Sequence, residues 1–135
     1  MADRNAINDA LAKYCYGYDN NELSLVEEAF TADATMSLRI GDGDLVGPFE
    51  GRDAILGLMR DSLASQTDQR RHLTVNTWFK DESEDDATVV SYLLLSAVED
   101  GKLTVLTSGV YTDKVVRDGS AWKIAERFLQ LDAPY

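Results

Sequence analysis

Residues 109–128 read GVYTDKVVRDGSAWKIAERF. Two runs rich in Val, Ile, Tyr, Trp and Phe, the residues that suit a pleated surface, flank Arg117-Asp118-Gly119-Ser120. That quartet carries the Asp, Gly and Ser of a tight turn. The stretch therefore belongs to two strands, over about 103–116 and 121–131. Moving toward the N-terminus, the rhythm repeats. Strands are expected over about 70–80 and 86–98, separated by the acidic turns DESEDD (81–86) and EDGK (99–102). Within the second of these, Ser91-Tyr92-Leu93-Leu94-Leu95 does not alternate. An unbroken apolar run marks a strand buried on both faces. Helices would meet one face and a second subunit the other, so a homodimer or higher homo-oligomer is expected.

The first half has helical spacing. Asp3 is placed to cap a helix over roughly 4–18, in which Ile7, Leu11, Tyr14 and Tyr18 recur at +4, +3 and +4. Gly17 weakens its last turn, and Asp19-Asn20-Asn21 ends it. A short helix follows from about Ser24 to Phe30. Then ATMSLRI (34–40), the turn Gly41-Asp42-Gly43-Asp44, and a return strand from Leu45 to Glu50 read as a hairpin. Pro48 keeps the return strand short, because it cannot donate to a ladder. Gly51-Arg52-Asp53 opens a third helix with Ile55, Leu58, Met59 and Leu63 on one stripe. Three helices and a hairpin before a long meander predict a single α+β domain over 1–135, helices packed on one face of a curved, mostly antiparallel sheet.

Composition removes several functions. With 13 basic and 24 acidic residues the net charge is −11, which repels phosphate backbones and argues against nucleic acid as a partner. No apolar run approaches the ~20 residues that span a bilayer. The N-terminal MADRNAIND lacks the layout of a signal peptide, so a cytoplasmic protein is expected, with no membrane partner. One Cys and one His leave no basis for a transition-metal site, and no cofactor is expected.

YGYDNNELSLVEEAFTADATM near the start and GVYTDKVVRDGSAWKIAERF near the end resemble the SnoaL-like branch of the nuclear transport factor 2-like superfamily. So do Phe30-x-x-Asp33-Ala34, the Gly47-Pro48…Gly51-Arg52-Asp53-Ala54-Ile55 run, a lone His opening a strand, and the closing G-x-Y-x-D…D-G-x-x-W-K-I. The resemblance implies a cone: a strongly bent sheet wrapping three helices around a deep pocket, dimerised through the sheet. The chain is similar to scytalone dehydratase at Tyr18-Asp19 and His72, and to hexachlorocyclohexane dehydrochlorinase at Asp19 and His72. Arg127 falls on the latter's pocket arginine, and bile-acid dehydratases carry a related Asp-His arrangement. The scytalone dehydratase pattern is incomplete, since TVLTSGVY has no second histidine and ATMSLRI no tyrosine.

A chemistry follows from those residues. Elimination needs a base that is neutral near pH 7, and a free imidazole titrates near 6.5. A carboxylate on one ring nitrogen sets the tautomer and leaves the other to face substrate. Asp19 and His72 are the expected acid/base pair, with Arg127 stabilising developing charge. Tyr14 and Tyr18 are candidate hydrogen-bond donors to substrate. Strand parity groups His72, Thr74, Asn76 and Trp78, so Asn76 and Trp78 are expected substrate contacts. Trp122, Ile124 and Phe128 would form apolar wall. The expected function is a cofactor-independent lyase or isomerase acting on a small hydrophobic, cyclic molecule. A polyketide cyclase and a non-catalytic binding or assembly domain are the alternatives. Each residue also has a plainer use: His72 as a structural imidazole, Asp19 as a helix stop, Arg127 as an ion-paired strand arginine, the tyrosines as core.

Overall fold

The structure, a computed structural model, describes residues 1–135. Asp3 caps the first helix as its sequence position suggests, its carboxylate accepting from Ala6 N–H at 3.1 Å. Helix α1 runs Arg4–Asp19, α2 Leu23–Ala29 and α3 Arg52–Ser65. The strands are β1 Phe30–Ile40, β2 Val46–Glu50, β3 Gln69–Glu82, β4 Asp86–Glu99, β5 Lys102–Asp118 and β6 Ala121–Leu131. Every element expected from spacing is present, with ends moved by a few residues.

One six-stranded sheet results, in the order β2-β1-β6-β5-β4-β3. All pairings are antiparallel except β1–β6, which is parallel and brings the N-terminal hairpin beside the last strand. The sheet is curved but does not close, so β3 is left with one free edge, along which α1 lies. The three helices cover the concave face. Ile7, Leu11 and Tyr14 of α1 and Ile55 and Met59 of α3 pack there against Leu93, Leu95, Tyr111, Val115 and Ile124 of the sheet. No helix is long and apolar enough to cross a membrane.

Among the register shifts in the sheet, one-residue insertions on β3 and on β6 redirect side chains near the site. On β3, Val75 pairs with Tyr92 and Trp78 with Val90, so three steps on β3 match two on β4. Asn76 absorbs the difference with φ 55°, a left-handed conformation that Asn tolerates better than most residues. On β6, Lys114 pairs with Glu126 and Val115 with Ile124, leaving Ala125 as the extra residue. Each bulge reverses which residues point inward beyond it.

The run at 91–95 presents two different faces. Within one chain Ser91, Leu93 and Leu95 are buried against the core, while Tyr92 is 54 % and Leu94 38 % exposed on the convex face. Leu73, Val75 and Trp78 on β3 and Val105 on β5 are exposed on the same strands. The strand is apolar on both faces, and a single subunit covers only one.

Candidate active site

Asp19 is the last residue of α1, and its place depends on the next helix. Gly17 lies so close to α2 that an added Cβ would stand 2.8 Å from the Glu22 carbonyl oxygen and 2.9 Å from Leu25 Cβ. The glycine that weakens the helix thus permits the α1–α2 approach. Gln69 Nε2 then donates to the Asp19 carbonyl oxygen at 2.9 Å, tying the helix end to the start of β3.

His72 lies three residues further along β3, on its free edge, where its backbone N–H has no strand partner. Asp19 supplies one: Oδ2 accepts from His72 N–H at 2.8 Å, while Oδ1 meets ring Nδ1 at 2.5 Å. One carboxylate therefore fixes both backbone and imidazole. The Tyr18 ring stacks on the imidazole, 4.9 Å between centroids at 25°, and Tyr14 meets it edge-on at 6.3 Å. The two side chains are nearly buried, 9 % exposed for His72 and 5 % for Asp19. Nε2 makes no hydrogen bond within the chain. Asp19 and His72 line a groove of about 790 Å³ between α1 and β3, with Leu11, Cys15, Thr74 and Thr77. Cys15 Sγ lies 3.2 Å from Thr74 Oγ1, and burial pushes its thiol up, so the sulfur is a packed wall.

Arg127 is inside the fold, 1 % exposed. The β6 bulge turns it inward, where Nε and Nη2 donate to the two Asp113 oxygens at 2.9 and 3.3 Å. Its guanidinium carbon lies 3.6 Å from the Tyr111 ring centroid and 4.2 Å from that of Tyr14. Burial opposes its charge, but Asp113 and the surrounding tyrosines prevail and hold it above the ordinary arginine value. Burial likewise pushes the Asp113 carboxyl up, against the pull of Arg127. Tyr14 and Tyr111 are raised well above the usual phenol value by burial, with Arg127 acting the other way.

Asp19, His72, Tyr18 and Tyr14 come together, and Tyr14 links them to Arg127. Four expected contacts do not join them. Asn76 is the bulge residue, and beyond it Trp78 projects from the convex face, 58 % exposed; Thr77 takes the groove position instead. Phe128 also faces outward, beside Arg39, because Ala125 shifts the parity of β6. Trp122 does point inward, but at the other end of α1, near Ala6, Ala10 and Lys13. Residues overlooked from sequence are Asp113 and Tyr111. Their signal was present in the G-x-Y-x-D motif, whose Tyr and Asp sit two apart and so share a strand face. No group of three or more His, Cys, Asp or Glu side chains is arranged to hold a metal.

The model of the SnoaL-like domain matches residues 1–128. The chain belongs to that family. No curated protein sequence matches it. Among solved structures, this SnoaL-like domain is similar to a candidate aromatic ring hydroxylase from Novosphingobium aromaticivorans, with 26% identity, 97% of this chain and 88% of that chain covered, and a TM-score of 0.79. LinA aligns at 21% identity over 98% of this chain and 88% of its own, with a TM-score of 0.80. A candidate scytalone dehydratase from Novosphingobium aromaticivorans aligns at 24% identity over 95% and 83%, with a TM-score of 0.76. The last two likenesses speak to the fold, which is that of this family.

Proposed function

We propose that this SnoaL-like domain is a cofactor-independent lyase or isomerase that removes a proton from a small hydrophobic cyclic molecule, with Asp19 and His72 as its acid/base pair. The single observation behind this reading is the double contact of Asp19 with His72, at Nδ1 and at the backbone N–H. A carboxylate at Nδ1 favours the tautomer with hydrogen there and leaves the Nε2 lone pair free. Nε2 takes the proton of a C–H bond, and the bonding pair moves into a new double bond. In an elimination the leaving group departs with its own pair; in an isomerisation the proton returns at another carbon. Asp19 stabilises the imidazolium that forms. The fold similarity to a candidate scytalone dehydratase supports this class of chemistry.

The test reads proton abstraction directly and does not need the natural leaving group. The protein is incubated in D2O with 1-tetralone, and deuterium entering the carbon next to the carbonyl is followed by NMR. General base catalysis contributes about 100- to 10,000-fold. His72→Ala and Asp19→Asn are therefore expected to lower the protein-dependent rate at least about 100-fold while staying folded. Wild-type rates in both variants would end the acid/base reading and leave a binding domain.

The expected partner is a second copy of this chain, seated on the convex face where Leu73, Val75, Tyr92, Leu94 and Val105 form an apolar surface on adjoining strands. Light scattering on wild type should give twice the 15.0 kDa chain mass, and Tyr92→Lys with Leu94→Lys should give the monomer. A wild-type monomer at micromolar concentration would refute the pairing.

A further inference from the structure

Helix α1 and strand β3 run side by side in opposite directions: Asp19 meets His72, Cys15 meets Thr74, and Arg4 meets Glu82. The groove of about 790 Å³ between them therefore has two ends. Arg71 and Asn20 stand at one, beside the Asp19–His72 pair. Asn8 and Thr77 stand at the other, with Leu11 and Cys15 between. In a chain of 24 acidic and 13 basic residues, this lining holds one carboxylate and one guanidinium. The carboxylate is Asp19, and both its oxygens are taken by His72. The guanidinium is Arg71, and it is in no ion pair.

Arg71 is exposed but held in place. Its parity on β3 is that of Leu73, toward the convex face. The side chain instead turns over the free edge, and Nη1 donates to Asn20 Oδ1 at 3.2 Å. Asn20 is fixed in turn, its Nδ2 donating to the Tyr16 carbonyl oxygen at 2.9 Å. A guanidinium carries five N–H donors. One is spent on Asn20, and the Nε–Nη2 edge is open.

We propose that Arg71, positioned by Asn20, anchors a carboxylate carried by the ligand, so that the groove takes a cyclic acid. This rests on the reading that the groove holds a small cyclic molecule, not on the acid/base role of His72. An open guanidinium edge matches a carboxylate through two parallel hydrogen bonds. One unpaired cation balances one carboxylate, whereas a phosphate monoester would bring nearly two charges. Leu11 and Cys15 offer apolar surface to the ring, and the volume is that of a small-molecule site. Arg71 adjoins His72 and Asn20 adjoins Asp19 in the chain, so an anchored acid lies beside that pair.

Calorimetric titration at neutral pH with 6-carboxy-1-tetralone and with its methyl ester tests the anchor. Wild type should bind the acid about 10-fold more tightly, the strength of charge-assisted hydrogen bonds discounted for an open site. Arg71→Gln should abolish that preference. Arg71→Lys keeps the charge without the fork and should retain about 3-fold. Arg60→Gln removes an exposed positive charge from α3, outside the groove, and should leave the preference unchanged. Equal binding of acid and ester by wild type, or binding of neither, overturns the proposal. So does a preference that survives Arg71→Gln, or one that falls as far in Arg60→Gln. His72→Ala should keep the preference while losing deuterium exchange next to the ring carbonyl of the same acid. Exchange by wild type without a preference for the acid removes the anchor and leaves the acid/base reading; a preference without exchange does the reverse.

Discussion

Replacing Asp113 by alanine isolates the largest electrostatic commitment in the fold. Both members of the Asp113–Arg127 pair have fully buried side chains, and two hydrogen bonds of 2.9 and 3.3 Å join them. Arg127 Nη1 is already without a partner. Removing Asp113 therefore leaves a cation with no counter-charge and no acceptor on any of its three nitrogens. Breaking a buried pair from one side costs about 3–5 kcal/mol. With a urea slope of about 2 kcal/mol per molar, the midpoint of Asp113→Ala should fall by about 1.5–2.5 M. Asp113→Asn retains one acceptor oxygen and should lose less. The double variant Asp113→Leu with Arg127→Met removes both charges, and should recover more than half of the loss, though the stacking on Tyr14 and Tyr111 is gone. Urea unfolding followed by far-UV circular dichroism gives all three midpoints. If Asp113→Ala costs under about 1 kcal/mol, and Arg127→Met adds an independent loss to it, the buried pair is not coupled and the account of the interior fails.

Gly17→Ala should destabilise by about 1–3 kcal/mol in the same urea experiment, because its Cβ would meet Glu22 O, Leu25 Cβ and Val26 Cγ2 at 2.8, 2.9 and 3.1 Å; a gain, as alanine's helix propensity alone would give, would contradict the tight α1–α2 contact. High pH should unfold the protein through Tyr14 and Tyr111. A phenol whose folded-state pKa is raised contributes its full stability below about pH 10 and loses it as pH climbs toward the raised value. The last two of the six tyrosinate equivalents at 295 nm should therefore appear together with loss of the far-UV signal; six equivalents in a folded protein would refute that burial. In the 15N-labelled protein, the only histidine should show Nδ1 protonated in its neutral form; a predominant Nε2–H form would show that Asp19 does not set the tautomer.

Much of this architecture is legible without coordinates. Apolar spacing in Ile7-Leu11-Tyr14-Tyr18 and in Ile55-Leu58-Met59 is local, and so is the turn chemistry of DESEDD, EDGK and RDGS. Such patterns determine element type and order, since period and turn preference act over a few residues. They also single out His72 as the lone imidazole and Asp19 as a helix-ending carboxylate, and the resemblance to relatives pairs them. What spacing could not reach is parity beyond a bulge. Asn76 and Ala125 carry no Gly or Pro flag, yet each moves the following residues to the opposite face. Trp78 and Phe128 therefore left the interior, and Arg127 entered it.

Local residue patterns specify three helices, a hairpin and a four-strand meander, and the residue types available for proton transfer. Long-range packing sets the remainder. It laid β1 parallel to β6, left β3 as an edge whose open His72 N–H takes up Asp19, and buried Arg127 against Asp113. A strand's neighbours and its bulges follow from long-range pairing and from burial of the whole concave face, to which no short window of residues has access.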